Sequence, residues 1–174
     1  MKNLIYFLLF LSSSVYSQQV IRGPYMQKVT ENSIIIKWRT DVATNSRVIF
    51  GSNEASLTNE VSIQNNVTDH TVQLSGLSPL TEYYYAVGNS TQILSGPQNH
   101  RFRTHPLNGE SVPVRVWAIG DFGKGNTEQV QVKSSYETYA DTVETNVWMW
   151  LGDNVYDDGK DSEYQTRLFE LNGF

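Results

Sequence analysis

Two short turns constrain this chain more than anything else in it: Gly120-Asp121-Phe122-Gly123 and Gly152-Asp153-Asn154-Val155-Tyr156. Each follows an apolar run, Val114-Arg115-Val116-Trp117-Ala118-Ile119 and Asn146-Val147-Trp148-Met149-Trp150-Leu151. Both runs are rich in β-branched and aromatic residues, as buried strands are. Between them lies Asn126 to Thr145, long enough for a crossover helix, so the pattern predicts a right-handed βαβ unit with parallel strands. Such a unit places Asp121 and Asp153 side by side at the carboxyl edge of the sheet, where open α/β sheets bind ligands.

The start of the chain reads as a leader. Lys2 precedes Leu4-Ile5-Tyr6-Phe7-Leu8-Leu9-Phe10-Leu11, a positive start and a short apolar core, and Val15-Tyr16-Ser17 offers a cleavage site. The expected mature chain begins near Gln18 and is secreted, whether to a periplasm or to the extracellular space. There is no cysteine, which excludes thiol catalysis, thiolate metal sites and disulfide bracing. Formal charge is -5, or -6 once Lys2 leaves with the leader. An acidic chain without a basic cluster is a poor partner for nucleic acid or an anionic membrane, and it suits bound cations.

From Ile21 to about Thr104 short strands alternate with turn signals: Ser33 to Trp38, Arg47 to Phe50, His70 to Leu74, Tyr83 to Val87 and His100 to Thr104. This spacing predicts a β-sandwich with Trp38 in its core. Leu77-Ser78-Pro79-Leu80-Thr81-Glu82-Tyr83 resembles the tyrosine corner of a fibronectin type III module, a likeness covering about Val20 to Thr104. The three histidines, His70, His100 and His105, fall at strand ends or a junction and are expected in surface or packing roles rather than as ligands. Asn66-Val67-Thr68 and Asn89-Ser90-Thr91 fit the N-glycosylation pattern. The polar, Pro- and Gly-bearing stretch 106–113 reads as a linker. Asn126-Thr127 then offers a cap for a helix running through Val130 and Tyr136 toward Val143, and Ser162 to Phe169 has the spacing of a further helix.

Rival motifs for the first turn fail on chemistry. Gly120 to Thr127 nearly spells a P-loop, but Asn126 stands where the phosphate-binding Lys belongs. Asp121-Phe122-Gly123 matches a kinase metal triplet, yet no strand lysine, Gly-rich lid or catalytic loop precedes it. The pair of turns is more telling. Two carboxylates on adjacent strand tips can share one cation or bridge two, and a phenolate from Tyr156 favours a strong Lewis acid such as ferric iron.

These residues, in this domain order, resemble the purple acid phosphatases, whose first metal motif is similar to Gly120-Asp121-Phe122-Gly123 and whose second is similar to Gly152-Asp153-Asn154-Val155-Tyr156. The resemblance spans about Val20 to Phe174. It implies a fibronectin type III-like all-β sandwich (18–105, after a 1–17 signal peptide), the 106–113 linker, and in 114–174 the beginning of an α/β metallophosphoesterase domain. By the same resemblance Asp121 ligates Fe(3+), Asp153 bridges to a second divalent metal (Fe, Zn or Mn), and Tyr156 is the charge-transfer ligand. The implied activity is acid phosphatase: two cations polarise a small-molecule phosphomonoester and acidify a water that attacks phosphorus in line.

The family's remaining ligands come from an Asn-His-Glu-type motif, a later His and a final His-x-His, and no histidine follows Asp121 here. The expectation is therefore an amino-terminal fragment of such an enzyme, inactive alone and with no catalytic acid of its own. The reading from another class is a secreted binding or adhesion module in which the sandwich does the work and the second part is a degenerate appendage. Asp121, Asp153 and Tyr156 together favour the enzyme, because a binding module has no need to combine them.

Overall fold

A computed structural model of the chain describes residues 18–140 and 145–172. The leader read at 1–17, the helix extension to Val143 and the final Phe174 lie outside the described residues. Among those described, no helix is long and apolar enough to cross a membrane.

The first part is built on two long strands. β1 (Val20–Gln27), β2 (Ser33–Gly51), β3 (Asn59–Ser75), β4 (Glu82–Gly88), β5 (Ile93–Ser95) and β6 (Arg101–Arg103) form one hydrogen-bonded set, with a 3₁₀ turn at Pro97–Asn99. β2 bends where its register with β3 breaks, between Arg39 and Ser46. Its first half pairs with β1 and the end of β3, while its second half pairs with the start of β3 and with β4. Two layers result, and they face each other as a fibronectin type III-like sandwich. The expected strands Ser33 to Trp38 and Arg47 to Phe50 are thus the two halves of one bent strand.

Alternation along β2 decides the core. Ile34, Ile36, Trp38, Val48 and Phe50 point inward against Val72, Leu74, Tyr85, Val87 and Phe102, all buried. Tyr83 closes the corner as expected, its phenol accepting the Ser78 N–H at 3.0 Å. His70 lies wholly inside, stacked on Trp38 at 4.5 Å between ring centres and bonded to Thr40 and Ser46. The Thr40 hydroxyl donates to the Val42 carbonyl, so His70 Nε2 is the donor to Thr40 and Nδ1 accepts from Ser46. Of the two glycosylation patterns, Asn66 is exposed, whereas Asn89 is buried and its carboxamide holds the turn to Thr91 and Gln92.

Beyond the sandwich, β7 (Val116–Ile119), α1 (Thr127–Ala140) and β8 (Val147–Trp150) form the expected βαβ unit, with β7 and β8 parallel and in register from Val116↔Val147 to Ile119↔Trp150. Asn126 caps α1, its side chain accepting the Gln129 N–H at 3.1 Å. The strands are less buried than their composition suggests: Val116 is 49% and Met149 47% exposed. One helix covers one face of a two-stranded sheet, through the Trp117–Tyr136 stack at 3.7 Å, and leaves the other face to solvent. The chain then enters α2 (Asp161–Tyr164), a π-helical turn (Gln165–Phe169) and α3 (Glu170–Asn172).

This helical run docks on β1. Arg22, only 8% exposed, sends its guanidinium to Gln165 Oε1 (2.7 Å) and Asp161 Oδ1 (2.9 Å) and lies 4.7 Å from the Phe169 ring centre. Arg39 takes the other Asp161 oxygen at 2.5 Å, and Tyr25 packs on Phe169. A second apolar cluster of Val155, Leu168 and Phe169, with Tyr25, Phe122, Trp148 and Tyr164 against it, takes in one residue from each acidic turn, Phe122 and Val155.

Candidate metal centre

The strand ladder continues into the turns. Leu151 N–H donates to the Ile119 carbonyl (2.9 Å) and Asp121 N–H to the Gly152 carbonyl (3.1 Å), so both turns leave the sheet at one level. Asp121 (φ 55°) and Asp153 (φ 48°) both adopt the left-handed backbone region. Asp tolerates this region better than most residues, yet each instance still costs roughly 1 kcal/mol. Two adjacent strands therefore end in the same unusual conformation, each with a carboxylate on it.

Tyr156 joins them. Its hydroxyl donates to Asp121 Oδ1 at 3.1 Å and lies 3.3 Å from Asp153 Oδ2. The residues singled out from sequence, Asp121, Asp153 and Tyr156, are thus all three brought together. Partial desolvation, then the Asp121 and Asp153 carboxylates, push the phenol up to about 12. Without a cation to offset those charges the phenol stays protonated and serves as the shared donor. Lys124 stands over the ring, 5.8 Å from its centre.

The donor set is three hard oxygens, and that chemistry fits a hard cation able to displace the phenolic proton. Among the described residues no group of three or more His, Cys, Asp or Glu side chains gathers as a metal site, so these oxygens are a partial set. His70, His100 and His105 belong to the sandwich or its exit: His70 is core, and His100 stacks on Tyr85 and bonds Ser95. A cavity of about 600 Å³ opens beside Asp121, between α1 and the sheet, with Trp117, Phe122, Lys124 and Lys133 in its wall.

Residues that sequence reasoning passed over hold the turns in place. The Glu163 carboxylate accepts the N–H groups of Asp157 (2.8 Å), Asp158 (3.1 Å) and Lys160 (3.0 Å), and those bonds, led by Lys160, hold it below the usual carboxylate range. Gly123 must be glycine, since an added Cβ would stand 1.8 Å from the Asn154 carbonyl oxygen. Tyr156 N–H donates to the Gly123 carbonyl at 3.1 Å, tying the second turn to the first.

Residues 24–104 match the family model "Purple acid Phosphatase, N-terminal domain". No match was found among curated proteins. Among solved structures, PhoD superposes with a TM-score of 0.59 at 14% identity over 84% of this chain and 34% of its own. The purple acid phosphatase PPD1 from yellow lupin (Lupinus luteus) seeds superposes with a TM-score of 0.53 at 19% identity over 73% of this chain and 28% of its own. Coverage of this width extends past the sandwich, so the likeness of fold includes part of the α/β segment beyond it. The chain spans about a third of the length of these structures. The family match thus covers the sandwich, and the likeness of fold continues into the α/β segment that follows it.

Proposed function

We propose that this chain carries the first metal-binding edge of an exported acid phosphatase-type metallophosphoesterase acting on small phosphomonoesters. The observation that carries the reading is the Tyr156 hydroxyl between the Asp121 and Asp153 carboxylates at the ends of adjacent parallel strands. The sandwich's family match supports the enzyme class, and the lupin structure bears the same family name.

In this reading Asp121, Asp153 and Tyr156 would hold Fe(3+), with Asp153 also available to a second divalent ion, Fe, Zn or Mn. A bound pair of such cations supplies Lewis acidity toward a phosphoester and a nucleophile at mild pH. The residues of this chain do the positioning. The two left-handed turns fix the carboxylates before any cation arrives, and the Tyr156 phenol stands between them, its one proton donated to Asp121 with Asp153 Oδ2 3.3 Å away. The cavity beside Asp121 carries Lys124 and Lys133 together with Glu128 in its wall, and its Trp117, Phe122 and Trp148 suit an apolar leaving group.

Equilibrium dialysis against Fe(III), then Zn(II) or Mn(II), tests this. The expected result is Fe(III) bound at one site per chain, abolished in Asp121→Asn and weakened in Asp153→Asn. Equal binding by wild type and by the Asp121→Asn/Asp153→Asn double variant contradicts the proposal.

A further inference from the structure

Gln129 is the most buried polar side chain of α1, at 7% exposure, and both ends of its carboxamide are used across chain segments. Its Oε1 accepts the Gly125 N–H at 2.8 Å, holding the end of the first turn. Its Nε2 donates to the Arg167 carbonyl at 2.7 Å, holding the π-helical turn. The Arg167 side chain then returns toward the site: its methylenes fill the space where a Cβ on Gly125 (φ +71°) would stand, and its Nη1 donates to the Tyr156 carbonyl. Tyr156 N–H closes the circuit on Gly123. Gly123, Gly125, Gln129, Arg167 and Tyr156 therefore form one ring of hydrogen bonds and contacts around the turn that places the phenol.

We infer that Gln129 and Arg167 are positioning residues of the metal centre, a circuit that fixes the Tyr156 phenol between Asp121 and Asp153. The inference rests on the metal reading for its functional sense, but the circuit itself is tested without metal. Neither residue touches the carboxylates or the phenol oxygen. They act on the backbone of Tyr156, whose placement decides whether three oxygens converge. Hydrogen-bonded partners outside the donor set orient ligands, and their loss costs ~10–100-fold in metal affinity.

The test is amide hydrogen exchange of the metal-free 174-residue chain, followed by Fe(III) titration. Gln129→Leu and Arg167→Met are expected to speed exchange of the Tyr156 amide about tenfold. The Ile36 and Val72 amides of the sandwich keep their protection. In the Fe(III) titration both variants lose affinity by ~10–100-fold. If Gln129→Leu unfolds the βαβ unit, seen as loss of protection at Trp117 and Trp148, Gln129→Glu decides: it keeps the acceptor for Gly125 and removes the donor to Arg167, so Tyr156 exchange still rises. Unchanged Tyr156 exchange in the folded variants overturns the inference, as does unchanged Fe(III) affinity beside a lower melting temperature. Failure of the wild-type chain to bind Fe(III) overturns the metal reading instead, and the exchange data alone then judge the circuit.

Discussion

Replacing Arg22 with Ala separates the helical run from the sandwich. Arg22 is 8% exposed and makes three kinds of contact there: a 2.7 Å bond to Gln165, a 2.9 Å ion pair with Asp161, and a guanidinium face 4.7 Å from the Phe169 ring centre. Asp161 is 63% exposed, so the ion pair is discounted to about 1 kcal/mol. The partly desolvated cation–π contact adds about 1 kcal/mol, and the Gln165 bond another ~1 kcal/mol. Arg39 still holds Asp161 after the substitution, which keeps the total near the low end of about 2–3 kcal/mol. Undocking should therefore become about 30-fold more populated. The assay is hydrogen exchange at Leu168 to Glu170 compared with Ile36 and Val72. Arg22→Ala accelerates the first set and leaves the second alone, and Arg39→Ala, whose residue is more exposed and is shared with Asp69, does so less. Asp161 is held down to about 2 by Arg39 and then Arg22, so the docking contribution is complete above the ordinary carboxylate value and fades as pH falls toward 2. Equal acceleration in both regions, or none in either, refutes the docking argument.

Burial lowers the His70 pKa in the folded state, so the unfolded chain binds more protons below about pH 6.5. Sandwich stability should fall as pH drops through that range, and urea midpoints of His70→Gln should be lower but flatter with pH. Gly123→Ala forces a Cβ within 1.8 Å of the Asn154 carbonyl and should destabilise the βαβ unit by about 3 kcal/mol, read as loss of near-ultraviolet circular dichroism from Trp117 and Trp148. With its histidines in or at the sandwich, the 174-residue chain should turn over p-nitrophenyl phosphate slowly or not at all, and robust turnover lost in Asp153→Ala contradicts that.

Much of the fold was legible because burial writes period two into a strand: Ile34, Ile36 and Trp38 announced the first half of β2, and Tyr83 with Pro79 announced the corner. The first half of β3 was not, because its apolar Val61, Ile63 and Val67 are interrupted by Gln64-Asn65-Asn66 and stay largely exposed, and its strand conformation comes from pairing with β2. β1 was also passed over: Gly23 and Pro24 interrupt it, and its burial comes partly from the helical run. At the site, Asp121, Asp153 and Tyr156 were legible from type and spacing, since two Gly-Asp strand ends converge in any parallel pair. The supports were not. Gln129, Arg167, Glu163 and Arg22 act through contacts as distant as 143 positions in sequence, and nothing in a polar residue's neighbours marks it as a brace rather than a solvated side chain.

The most direct measurement of the central claim is the visible absorption of the purified chain titrated with Fe(III). A Tyr156 phenolate placed between Asp121 and Asp153 predicts a charge-transfer band that saturates at one iron per chain, is absent in Tyr156→Phe, and appears with release of the phenolic proton. A wild-type chain that binds iron without that band, or a band that persists in Tyr156→Phe, contradicts the account.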